Sequence, residues 1–142
     1  MTINQDLDEK LFAILNERVR LIPFYNFMGF EAEVMGKGYC KFSLKTVPEY
    51  ANINGTLHGG VMMSFADAAM AFAVRTLGHE TTTVNLSSSF FTSAPAVTTL
   101  IAEGLVLKEG NHLVFCESKL MVGDKLIASH KGTFYILGKI EG

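Results

Sequence analysis

From Asn54 through Gly55, Thr56, Leu57, His58 and Gly59 to Gly60, the chain runs unbroken into an apolar segment that ends near Leu77 and Gly78. That segment carries a single acid, Asp67. Two glycines at a helix start leave the first backbone N–H groups uncovered and aimed outward, and the helix dipole adds about half a positive charge there. This pairing suits a developing oxyanion on a carbonyl under attack. A phosphate-binding loop requires more glycines with a Lys or Ser/Thr at fixed spacing, and that pattern is absent. The chemistry expected is hydrolysis, with Asp67 as base or nucleophile.

Placed among Phe65, Ala66, Ala68, Ala69 and Met70, the Asp67 carboxylate is expected to be partly desolvated. Desolvation raises its pKa and makes it a better base near neutral pH. If Gly59 and Asp67 share one helix, eight residues at a rise of ~1.5 Å separate them by ~12 Å. That is too far for both to act on one carbonyl carbon. If both act together, the carboxylate of one subunit must meet the helix start of another, and two-fold symmetry then builds two equal sites. Arg75 is equally far from Asp67 along the helix, so no pairing within the helix is expected.

His58 sits beside the expected oxyanion donors, where orienting them is a more natural role than proton transfer. His79, His112 and His130 have no ligand spacing to one another or to the cysteines, so no metal site is assigned. No Gly-x-Ser-x-Gly turn is present, and Ser64, Ser87, Ser88 and Ser89 lack an evident histidine and acid partner, which disfavours a serine hydrolase. Cys40 and Cys116 fall in strand patterns and read as core thiols.

These residues need elements to position them. Apolar positions Leu7, Leu11, Leu15 and Val19 predict an amphipathic helix over 5–21, docked on the outside. Pro23 ends it, and Phe24 to Gly29 reads as an aromatic connection, a hydrophobic plug or one wall of a pocket. Phe30 to Met35 and Tyr39 to Thr46 alternate in polarity around Gly36-Lys37-Gly38, a hairpin signal. Gly78 is the expected C-cap of the long helix. Thr81 to Phe91, Val97 to Lys108, His112 to Val122 and Leu126 to Leu137 follow as a four-strand meander. The expectation is an α+β domain whose curved sheet of about six antiparallel strands wraps one central helix. Phe24, Phe27, Phe90 and Phe91 are read as core more readily than as an acyl pocket.

The chain has 142 residues, 49% of them hydrophobic and 18% charged, which fits one globular domain, here 1–142. A net charge of −2 without a basic stripe excludes nucleic acid as the main partner. Residues 57–77 approach the ~20-residue length of a membrane span. Asp67, Arg75 and the flanking strand patterns favour a buried helix and no membrane. A polar N-terminus and unpaired cysteines suggest a reducing, cytoplasmic setting.

Asn52 six residues before His58, Gly55, the run Leu57-His58-Gly59-Gly60 and Asp67 nine residues after His58 together resemble the hotdog-fold thioesterases. The nearest branch is the phenylacetic-acid-degradation (PaaI-like) one of the 4-hydroxybenzoyl-CoA thioesterase superfamily. The likeness spans about residues 22–137 and includes the final strand around Ala128 to Phe134. The resemblance implies hydrolysis of acyl-CoA or aryl-CoA thioesters without metal or cofactor. It implies that Gly59 gives its N–H to the thioester oxygen, that His58 holds that helix end and that Asn52 orients water or substrate. Asp67 of the facing subunit would be base or nucleophile, a choice left open, while Gly60 and Thr83 would contact substrate or water. It also implies homodimers, or tetramers as dimers of dimers, with the pantetheine arm in a groove at the interface. The alternatives are a non-catalytic acyl-CoA or acyl-carrier binding protein on the same fold, or an enoyl-CoA hydratase. The second lacks its acid–histidine pair here.

Overall fold

The computed structural model describes residues 1–141; the expected domain span of 1–142 runs one residue further, to Gly142, outside the described residues. Among the described residues seven strands, not six, form one sheet, in the order β1 (Ile3–Gln5), β2 (Glu31–Gly36), β3 (Tyr39–Lys45), β5 (Thr99–Glu109), β6 (Leu113–Val122), β7 (Lys125–Lys139) and β4 (His79–Phe90). The additional strand is β1 (Ile3–Gln5), parallel to β2 (Glu31–Gly36). Three residues are too few for a polarity period to register, so this strand is invisible in the sequence.

The N-terminal helix α1 (Glu9–Leu21) starts later than expected because Asp8 caps it, its carboxylate accepting the Leu11 N–H at 3.1 Å. Asn4 closes the preceding turn with two bonds to Leu7, and Asp6 takes a left-handed φ of 68°. The short helix α2 (Pro23–Met28) opens on Pro23 and ends at Gly29, whose φ of 87° lets the chain reverse into β2. Strands β2 and β3 (Tyr39–Lys45) form the predicted hairpin, with Gly36 opposite Tyr39.

The central helix α3 (Gly59–Arg75) is continuous and ten of its residues are buried. Alanine, the best helix former, occupies five of its positions and keeps the helix thin enough to lie close on the sheet. The closest approach is at Gly104 of β5 (Thr99–Glu109), where a Cβ would fall 2.3 Å from the Ala69 carbonyl oxygen. The helix ends at Thr76, not at Gly78. The Thr76 hydroxyl donates to the Ala73 carbonyl at 2.6 Å and accepts the Gly38 N–H at 2.8 Å, bolting the helix end to the β2–β3 turn. Gly78, φ 90°, then turns the chain.

The meander has three strands: β5, β6 (Leu113–Val122) and β7 (Lys125–Lys139). β4 (His79–Phe90) instead lies beyond β7 at the edge of the sheet, because α3 carries the chain across the whole concave face before β4 begins. Arg18 of α1 grips Glu80 of β4 through two bonds of 2.6 and 2.8 Å, fastening the outer helix to this edge.

Candidate active site

His58 is the N-cap of α3, and its Nδ1 accepts the Gly60 N–H at 2.8 Å. One residue earlier, the Gly59 N–H has no acceptor among the described residues. The cap thus occupies the second donor and leaves the first for a ligand. The Phe90 ring lies against this helix start, since a Cβ on Gly59 would stand 3.5 Å from Phe90 Cζ.

Asp67 lies two turns further along α3, half-buried, and receives a hydrogen bond from Thr83 Oγ1 at 2.7 Å. Burial pushes the carboxyl's pKa up, while the Thr83 bond and the positive charge of Arg75 oppose it. The net effect is upward. A cavity of about 370 Å³ opens at this carboxylate, walled by Phe24, Met63 and Leu86 and including Gly60, Ser64 and Thr83. Mostly apolar walls with a few convergent polar groups are what a small-molecule site requires. A larger crevice, about 730 Å³, lies between α1, α2 and β2; it shares Tyr25 with the Asp67 cavity, but neither Asp67 nor the helix start lines it.

Asn52 is engaged elsewhere. Its side-chain oxygen accepts the Asn54 and Thr56 N–H groups at 2.9 and 3.1 Å, and its amide donates to Thr56 Oγ1 at 3.0 Å. In the single chain it builds the loop that delivers His58, with Gly55 at φ 75° completing the turn. Of the other histidines, His79 contacts Glu109, and buried His130 has Nδ1 2.7 Å from Ser88 Oγ and its ring centroid 5.8 Å from that of Phe90. Burial lowers the His130 pKa to about 4, so it is neutral at physiological pH.

The residues matched by the family described as "Thioesterase superfamily" are 54–128, from the loop before His58 into β7. A candidate esterase of Saccharolobus solfataricus is 31% identical over 137 residues, covering 91% of each chain. The chain belongs to the thioesterase superfamily. Among solved structures, the PaaI protein of the Escherichia coli phenylacetic acid degradation operon matches with a TM-score of 0.88 at 20% identity, covering 94% of this chain and 98% of that one. A Streptococcus mutans protein bound to acetyl CoA matches with a TM-score of 0.76 at 19% identity, covering 79% and 91%. These likenesses establish the hotdog fold.

Within this thioesterase-superfamily chain, the residues singled out by sequence fall into two groups on one helix. His58, Gly59 and the Asn52 loop form the helix start, and Asp67 with Thr83 forms the acidic site. Sequence reading missed Tyr25 as a neighbour of Asp67; Arg75, set too far along the helix to pair with Asp67, makes no ion pair with it among the described residues but lines the same cavity. Tyr25 arrives from α2, a connection with no strong periodic signal. Helix rise alone sets Arg75 out of reach of Asp67, although a long side chain on a helix leans back toward the N-terminus. The four phenylalanines expected in the core are instead exposed: Phe24 47%, Phe27 81%, Phe90 45% and Phe91 58%. Phe24 and Phe90 sit at the acidic site and the helix start respectively.

Proposed function

We propose that the protein is an acyl-CoA or aryl-CoA thioesterase whose active site is shared between two copies of the chain. The observation that carries this reading is Asp67, a half-buried carboxylate with a raised pKa held by Thr83 at the mouth of an apolar cavity. Such a group serves as a general base toward water, or attacks the thioester carbonyl itself. The free Gly59 N–H at the positive end of α3 would hold the oxyanion.

One chain does not complete this constellation, because Gly59 and Asp67 stand on the same helix ~12 Å apart. The edge of the sheet offers the remedy. β4 is twelve residues long and, among the described residues, paired on its β7 side alone, and no charge interrupts the chain from Thr81 to Thr92. Val84 is 57% exposed on it, and an open uncharged edge of this length invites a second strand. Antiparallel pairing of two β4 strands about a two-fold axis at Ser87 would set Leu86 opposite the second copy's Ser88 and, past the bulge at Val84, Thr83 opposite the second copy's Phe90. Since Thr83 holds Asp67 and Phe90 covers Gly59, the same pairing brings Asp67 toward the other copy's helix start. The acetyl CoA held by the Streptococcus mutans relative supports a CoA thioester as the ligand class.

The test is thiol release from short, medium, long and aryl CoA thioesters by wild type, Asp67→Ala and Asp67→Asn. Both variants are expected to lose at least ~100-fold in kcat, within the range for a positioned proton-transfer group. Near wild-type turnover in both would sink the assignment. Saturable binding without thiol release in the wild type would instead identify a non-catalytic acyl-CoA binding protein.

A further inference from the structure

Asp67 borders a second cavity of about 150 Å³, whose lining includes Tyr25, Arg75, Thr81, Thr83 and Phe134. Arg75, at the last turn of α3, lays its guanidinium over the Phe72 ring, 4.8 Å from the centroid. Its Nη1 is buried and has no hydrogen-bond partner among the described residues. A buried charged donor without an acceptor is costly and calls for a reason. No ion pair joins Arg75 directly to Asp67 among the described residues. The cavity that both line is large enough to admit water.

The other groups around the carboxylate supply no competing positive charge. Tyr25, from α2, is buried and its hydroxyl is kept neutral by that burial, against the pull of the Arg75 guanidinium beside it. Thr83 and Thr81 of β4 carry no charge, and the Thr81 hydroxyl donates to the Tyr135 carbonyl. Phe134 closes the β7 side. Glu80, the one acid nearby on β4, is held by Arg18 and also feels the Arg75 charge, both of which lower its pKa, but no ion pair joins it to Arg75 among the described residues.

We propose that Arg75 is a positioning residue for Asp67, acting across this cavity to keep the carboxylate charged and oriented while it is half-buried. The proposal rests on the reading of Asp67 as the reacting group. Removing the positive charge takes away one of the two influences that oppose desolvation, so Asp67 then protonates at higher pH.

The experiment follows the Asp67 carboxyl by carbon NMR titration, with the pH profile of kcat/KM beside it, in wild type, Arg75→Met, Arg75→Gln and Arg75→Lys. Arg75→Met and Arg75→Gln are expected to move the Asp67 midpoint and the acid limb upward together. A midpoint that rises by one pH unit lowers kcat/KM about tenfold below the limb and leaves the plateau nearly unchanged. Arg75→Lys is expected to return the midpoint most of the way to its wild-type position. An unmoved Asp67 midpoint in either folded neutral variant overturns the proposal, as does an equal rise in Arg75→Lys. Because the NMR titration reads Asp67 without turnover, a protein inactive on every thioester but with a displaced midpoint would remove the thioesterase reading and leave the coupling standing.

Discussion

Thr83 on the edge strand donates its hydroxyl to Asp67 Oδ1 on the central helix at 2.7 Å, joining two elements sixteen residues apart in sequence. A bond donated to a carboxylate favours its charged form, so this contact opposes the burial that raises the Asp67 pKa. Thr83→Val keeps the shape and deletes the donor. Its kcat/KM profile is expected to show an acid limb at higher pH than wild type, with about a tenfold loss on the acid side for each pH unit that the limb moves. An unchanged limb would remove Thr83 from the site.

The raised pKa of Asp67 also carries a stability consequence. A carboxyl whose folded pKa lies above its unfolded value stabilises the fold at low pH, and that contribution is lost as pH rises through the folded value. Asp67→Asn, still able to accept the Thr83 hydroxyl, is therefore expected to melt above wild type at neutral pH. The difference should shrink as pH falls below the folded pKa of Asp67. Melting curves for the two proteins across pH check both points, and a variant less stable than wild type at neutral pH contradicts the burial argument.

His58 acts on the helix start through its Nδ1 acceptor. His58→Ala should cost about 1 kcal/mol in urea unfolding, the usual worth of an N-cap, while His58→Asn, a good cap, should restore most of it. If His58 serves only as a cap, activity will follow stability in both variants. Activity lost in His58→Asn at full stability points instead to direct contact with substrate.

Gly104 marks where β5 meets α3. An alanine there puts a methyl 2.3 Å from the backbone carbonyl oxygen of Ala69, a contact that no side-chain rotation relieves. Gly104→Ala is expected to lose about 3 kcal/mol or more, at the upper end of overpacking costs. Wild-type melting behaviour would show that the helix can lift from the sheet without penalty.

Much of this architecture was legible because local chemistry and global fold agree. The Lys37–Gly38 turn with φ 73° at Gly38, the alanine-rich helix and the alternating strands each follow from a periodicity or a turn residue. Strand order was not legible: β4 follows α3 in sequence and looks like the first strand of a meander, but a helix that spans the sheet delivers it to the far edge. Exposure failed at Phe24, Phe27, Phe90 and Phe91 for a related reason. Hydrophobicity marks surface to be covered, and a sequence does not say whether its own core or another molecule covers it. At the candidate site, Asp67, Gly59 and His58 came from a motif and Thr83 from the family resemblance, whereas Tyr25 converges through tertiary packing that carries no spacing signal and Arg75 through a long side chain that leans back along α3.

The central claim is that one catalytic site draws Asp67 from one chain and Gly59 from another. Gly59 is the first helical residue, where proline is tolerated, and His58 before it is extended at ψ 134°, as a residue preceding proline must be. Gly59→Pro therefore removes the proposed oxyanion donor with little cost to the helix. The decisive measurement is the thioesterase activity of purified heterodimers joining an Asp67→Asn chain to a Gly59→Pro chain. A shared site predicts two nearly inactive homodimers and a heterodimer with about half the wild-type activity, since one of its two sites is intact. A heterodimer as inactive as its parents would contradict the account and place the complete site within one chain.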